Sequence, residues 1–206
     1  ITMVYNNVIH KPVFWSTSMP PQVKVSKEHI KSEAFQMTKE SGFEAVSARK
    51  LAERLNCSTQ PIFRVYQNME ELKADLYEMG TDYMRESMER HKGKSEPAYL
   101  SLAKGYIDAA RNEKNLFRLI ASVDDLDISG DKEFLLKGEA INYPNMLPGA
   151  ESLDDEKKGE LISAIWFLVH GIATLIVSGR TEISDKEIGD LINETYFGLL
   201  SRFKGE

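Results

Sequence analysis

A chain of 206 residues, 42% hydrophobic and 28% charged, has the length for one well-packed core or for a small module fused to a larger one. A formal charge of −6 excludes a protein that coats nucleic acid generally. A single cysteine, Cys57, excludes an internal disulfide and makes a reducing compartment the default.

Residues 1–18 carry one charged residue and no helical period, and Met19 opens a stretch that reads as a natural start. They are expected to be a leader or tag without function, and they lack the pattern of a secretory signal. From Ser26 onward the periodicity is helical, with no run alternating at period two long enough for a strand. Ser26 caps a first helix that turns Ile30, Ala34, Phe35 and Thr38 inward and ends at Ser41–Gly42. Phe43 and Val46 pack the connection, and Ser47 caps a second helix whose stripe is Leu51, Ala52 and Leu55. Asn56 follows, where a residue able to take a left-handed conformation is wanted. After a three-residue turn, Ser58 caps a third short helix with Pro61 in its first turn. Ile62, Phe63 and Tyr66 are expected to face inward, and Thr59, Gln60 and Arg64 outward. Cys57 reads as a small buried filler.

Asn68 and Glu71 form a capping-box-like start for a long helix running to about His91, with Leu72, Leu76, Met79, Tyr83, Met84 and Met88 as its apolar members. Gly80, in its middle, suits either a flexing point or a close contact. Residues 92–94 break that helix, and Pro97 starts another carrying Leu102, Tyr106 and Ala110. A short helix follows over residues 115–121, then an acidic loop over 122–132 and a helix over 133–141. Residues 142–149 form a Pro/Gly turn. Ser152 is expected to cap an apolar helix ending at Ser178–Gly179. Ser184 and Glu187 make a capping box for the last helix, with Ile188, Leu191, Ile192, Thr195, Tyr196, Leu199 and Phe203 on its core face. Leu161–Val177 is at the short limit for a membrane span and carries Ser163, His170 and Thr174; a helix buried on most sides, as at a subunit interface, is the better reading.

The sequence therefore predicts an all-α protein: a three-helix head over residues 19–68, and a helical body over 69–206. Two short helices in this order form a helix-turn-helix that reads DNA. Charge agrees with that layout. Residues 20–68 hold eight Lys/Arg against five Glu, whereas 69–206 hold 17 basic against 27 acidic residues. A basic tip on an acidic body suits contact with phosphates at one end only. In the third helix Thr59 and Gln60 are best placed for base edges, since Gln can bond adenine bidentately and a Thr methyl can pack on thymine. Ser47, Ser58, Arg49, Arg64 and Lys73 suit phosphate contacts.

Residues 42–52, 57–66 and 69–72 together resemble the DNA-binding head of TetR-type transcriptional repressors (TetR/AcrR). Leu116-Phe117-Arg118-Leu119 and Trp166-Phe167-Leu168-Val169-His170-Gly171 look like the Trp-His-Gly effector domain of some members. The resemblance adds Pro61, Phe63 and Tyr66 to the DNA-contacting set. Phe63 stands where the family usually has a phosphate-holding Tyr, Val65-Tyr66 replaces a frequent His-Phe pair, and Met69 replaces a Lys for which Lys73 can substitute. It also implies release from a palindromic operator by a small-molecule effector that moves the long fourth helix.

The two last helices are too apolar for one exposed face each, so they are expected to pair with their copies in a homodimer. Tyr83, Tyr106, Phe117, Tyr143, Met146, Trp166 and His170 are the expected effector-lining residues. No metal-ligand spacing, phosphate loop or nucleophile with a base stands out, so the chain reads as a cytoplasmic regulator without a cofactor rather than an enzyme. The alternative from another class is a helix-turn-helix protein that organises DNA or division machinery, with a filled body and no effector.

Overall fold

The computed structural model describes residues 25–91, 96–121 and 146–205. Among these, every regular element is helical. Helix α1 spans Lys27–Ser41, a 3-10 turn Phe43–Ala45, α2 Ala48–Arg54, α3 Gln60–Val65 and α4 Met69–Arg90. The body continues with α5 Ala98–Asn112, α6 Lys114–Ile120, α7 Asp155–Val177 and α8 Asp185–Gly205. The expected leader, acidic loop, helix over 133–141, break at 92–94 and most of the Pro/Gly turn lie outside the described residues.

Local chemistry sets most boundaries where the sequence placed them. The Ser26 and Ser47 side chains accept from His29 N and Lys50 N, filling donors that a helix start leaves unpaired. Asn68 accepts from Glu71 N at 3.0 Å, while Glu71 Oε2 accepts from Gln67 N at 2.7 Å. At α8 the capping box closes fully, Ser184 N donating to Glu187 Oε2 and Glu187 N to Ser184 Oγ. One cap differs: α7 is capped by Asp154, whose side chain accepts from Lys157 N, not by Ser152. Asp154 stands three residues before that donor, and its charge also suits a helix N-terminus.

Two clusters of buried side chains share the long helix α4. The body cluster gathers Met84, Tyr99, Ile107, Phe117, Leu161, Ile165, Ile188, Ile192 and Tyr196, with α5 packed between α4, α7 and α8. Tyr99 and Tyr196 stack with ring centroids 4.1 Å apart, and their hydroxyls donate to Asn193 Oδ1 and the Pro148 carbonyl. The head cluster is not closed by the head alone. Ile30, Ala34, Phe35, Leu51, Leu55, Ile62 and Tyr66 meet Leu72 and Leu76 of α4 and Leu116 and Leu119 of α6. A unit of about 40 residues buries too little apolar surface by itself, so this cover matters.

Helix α7 is long and apolar enough to cross a membrane, yet much of it is packed inside the body. Burial on most sides holds only in part, because Phe167, Gly171, Thr174 and Leu175 are exposed along one side. On α8, Leu191 was expected in the core and is instead exposed; Leu200, one turn beyond Tyr196, is buried there. Gly80 sits in a close contact. A Cβ there would meet Ile120 Cγ2 at 2.7 Å and Leu116 Cδ1 at 3.2 Å, so α4 and α6 approach through the missing side chain. Gly80→Ala should cost about 1–3 kcal/mol in denaturant unfolding. Combining it with Ile120→Ala should cost less than the sum of the two single changes, since the obstructing methyl is gone.

Candidate nucleic-acid interface

The turn between α2 and α3 is built from the backbone outward. Leu55 ends α2, and Asn56 takes φ 49, the left-handed position after a helix. Asn56 N donates to Glu53 O at 3.1 Å and Cys57 N to Ala52 O at 2.9 Å. These are the two bonds of a Schellman closure, and they fix the direction in which the chain leaves α2. Residues 55–59 make the connection, longer than the three-residue turn expected from sequence. Cys57 is half-buried against the head core.

Helix α3 starts one residue later than a Ser58 cap would place it. Thr59 holds the cap position with helical backbone angles and no side-chain cap bond, and its carbonyl accepts from Ile62 N and Phe63 N. Pro61 costs nothing in this first turn, where its missing N–H would have no partner. Ser58, Gln60 and Arg64 are exposed and Thr59 and Pro61 half-exposed, so the start of α3 presents polar side chains outward. Ile62 is buried at its back and sets that orientation.

One predicted orientation changes and one holds. Phe63 does not turn inward: it is 53% exposed, one helical step round from Ile62. Tyr66 does face inward: it is 2% exposed and its hydroxyl donates to Asp75 Oδ2 at 2.7 Å, which takes it out of the DNA-contacting set that the resemblance implied. Its role is to lock the end of α3 to α4. Lys27 of α1 reaches the same carboxylate at 2.8 Å, joining three helices at Asp75.

The head's cations divide into two groups. Lys27 pairs with Asp75, Lys31 with Glu78 and Lys39 with Glu113, while Arg54 spans Glu33 and Glu40. Arg49, Lys50 and Arg64 are exposed and form no ion pair among the described residues. They flank the two short helices, where an anionic partner would meet them first. Sequence reasoning passed over Lys50, although its place beside Arg49 in the first turn of α2 was a signal. Ser47 Oγ serves as the α2 cap, and Lys73 Nζ lies 5.9 Å from the Phe43 ring centroid beside the 3-10 turn.

In the body, four predicted effector residues come together. The Tyr106 hydroxyl lies 2.9 Å from His170 Nδ1, and Trp166 stacks on His170 at 4.7 Å and 8°. Phe117 lies 5.8 Å from both the Tyr106 and His170 rings. Met146 is buried in the same core cluster, and Tyr143 lies outside the described residues. Tyr83 faces the seam between head and body, its hydroxyl donating to Glu113 at 3.1 Å and its ring below Lys39. A separate cleft of about 160 Å³ is lined by His91, Lys104, Ile107, Asp108, Asp185 and Ile188, none of them predicted effector residues.

The architecture is that of a helix-turn-helix head carried on a helical body by one continuous helix. No family model and no curated protein matches the chain. Among solved structures, the fold is similar to that of a TetR-like transcriptional regulator from Rhodococcus sp. RHA1. The two superpose with a TM-score of 0.59 at 12% identity, over 84% of this chain and 94% of the other. At that identity the likeness establishes the fold.

The Asp75 junction carries a pH signature. A hydrogen bond from Lys27, with help from the Tyr66 hydroxyl and against the cost of burial, holds the Asp75 carboxyl below its ordinary 3.8. Its stabilising contribution is therefore present above the unfolded value and is lost as pH falls through the lower folded one. Comparing unfolding of the parent and Asp75→Asn across pH should show a steady deficit at neutral pH that shrinks below about pH 4. A deficit that is flat down to pH 2 would contradict the assignment.

Proposed function

We propose that this protein is a ligand-responsive transcriptional regulator, a repressor in action, that binds a palindromic operator in double-stranded DNA as a cytoplasmic homodimer. The observation that carries the reading is the outward start of α3, Ser58 to Gln60 with Arg64, together with Arg49 and Lys50 of α2, which are exposed and form no ion pair among the described residues. Gln60 and Thr59 read base edges, whereas Arg49, Lys50, Arg64 and Lys73 hold phosphates. Phe63, exposed and without a hydroxyl, offers the duplex only an apolar contact with sugar or a thymine methyl.

Dimerisation is supported by an apolar surface on α7 and α8. Phe167 is 61% exposed, Phe197 53%, Leu175 44% and Leu191 38%. Gly171 and Gly198 have open space where a Cβ would stand, so a helix can approach closely there. Four helices, two from each copy, would cover these side chains and set two reading helices about 34 Å apart, one turn of duplex. Phe197→Asp should give a folded monomer by sedimentation. It should also lose operator affinity, because each half-site would then bind alone.

The Tyr106–Phe117–Trp166–His170 cluster is the effector site of this reading, its one polar pair, Tyr106 and His170, set among packed aromatic rings. An effector releases DNA only if it binds the DNA-incompetent state more tightly. A coupling of about 1–3 kcal/mol lowers operator affinity roughly 5–150-fold.

Selection of bound fragments from the protein's own genomic DNA tests the proposal. On a selected duplex, Gln60→Ala should relax base preference at one position of each half-site, where the pair discriminates by about 1–3 kcal/mol. Arg64→Ala should weaken binding evenly across sequence variants and make the salt dependence shallower by about one unit of slope. Identical profiles for the two variants would refute these roles, and failure to select any duplex at low salt would refute the function.

A further inference from the structure

We infer that Asn115 and Arg118 of α6 are positioning residues that fix the angle of the reading head against the dimerisation helices. This rests on the DNA-binding reading above. Neither residue belongs to the DNA surface or to the aromatic cluster. Their bonds form one continuous polar path between the two parts of the molecule.

Asn115 Nδ2 donates to the Lys39 carbonyl at 3.1 Å, in the last turn of α1. Asn115 Oδ1 accepts from Arg118 Nη1 at 3.0 Å. Arg118 Nη2 donates to the carbonyl of Val177 at 3.3 Å, the last residue of α7. A branch leaves from the residue that joins α5 to α6: Glu113 takes the Lys39 ammonium at 2.7 Å and the Tyr83 hydroxyl of α4 at 3.1 Å.

The chemistry explains why these side chains are needed. The last four carbonyls of a helix have no intrahelical donor, and both Lys39 O and Val177 O belong to that set. The short α6 therefore caps two helices, one from the head and one from the dimerisation surface. The Asn115 amide can be placed only one way, because a flip would set oxygen against the Lys39 carbonyl and NH2 against the guanidinium. Arg118 spans two acceptors with its planar fork, which a lysine ammonium on a single stem does not reproduce. An α7 displacement is thus transmitted to α1 through two side chains, without passing along α4.

The consequence is a definite spacing between the two heads of a dimer. The intact protein, Arg118→Ala, Arg118→Lys and Asn115→Asp should be compared on a panel of duplexes whose half-sites are moved apart or together by one or two base pairs. Asn115→Asp keeps the acceptor for Arg118 and removes the donor to Lys39, so it breaks one link alone. The parent should prefer one spacing by tenfold or more. The variants should flatten that preference several-fold while binding an isolated half-site with parent affinity. A merely structural loss would instead lower affinity at all spacings alike.

Amide hydrogen exchange gives a DNA-independent reading. Thr38–Gly42 should exchange several-fold faster in Arg118→Ala, although Arg118 makes no hydrogen bond to the head among the described residues. Should Arg118→Ala fail to fold, Arg118→Lys and Asn115→Asp decide the matter by the same two measurements. An unchanged spacing profile together with unchanged exchange at Thr38–Gly42 overturns the inference and leaves DNA binding standing. Absence of DNA binding in the parent overturns the proposed function, and exchange alone then decides whether the path exists.

Discussion

The helix-turn-helix head depends on apolar cover that it does not supply. Leu72 and Leu76 of α4 and Leu116 and Leu119 of α6 close the same core as Ile30, Leu51 and Ile62. Without them, α1 to α3 would leave a half-covered set of side chains, too little burial for a unit of that size. The head therefore cannot be placed independently of α4 and α6. Its orientation is a property of the body.

The polar contacts at the seam follow the same logic. Apolar packing is non-directional and tolerates small rotations, whereas hydrogen bonds with a set donor and acceptor do not. Lys39, Glu113, Tyr83 and Asn115 lie where α1, α4 and α6 meet, and Gly80 brings α4 against α6 through the absence of a side chain. Close packing there converts a shift of one helix into a shift of its neighbours, because a dense interior has no slack to absorb it. The charge division in the head belongs to the same design. Lys27, Lys31 and Lys39 pair with carboxylates beyond the three head helices and Arg54 with Glu33 and Glu40 of α1, whereas Arg49, Lys50 and Arg64 form no ion pair among the described residues.

Much of the fold was legible in the sequence because its signals are local. Helix caps act over three residues, and Asn56 could be assigned from its place after a short apolar stripe. The errors also have local causes. Helix α3 is only six residues long, so its period cannot distinguish Phe63 from Ile62 as the inward side chain. Ser152, Asp154 and Asp155 are all cap-forming types within four positions, and only geometry selects Asp154. The helical period places Tyr66 inward, but its hydroxyl partner Asp75 carries no pattern that marks it, so the bond that keeps Tyr66 from an outward role was not legible. The seam was beyond sequence reasoning altogether, since Asn115 and Lys39 are 76 residues apart. Likewise Tyr106 and His170 were named singly as candidates, and the bond between them across 64 positions was not.

The central claim is that two paired bodies hold two such heads at the pitch of B-form duplex. Hydroxyl-radical footprinting of a selected duplex tests it most directly, because it maps contacts at single-nucleotide resolution. The account predicts two protected patches related by a dyad, with centres about 10 base pairs apart or a whole number of turns from each other. A single patch without symmetry, or uniform protection regardless of sequence, would contradict it.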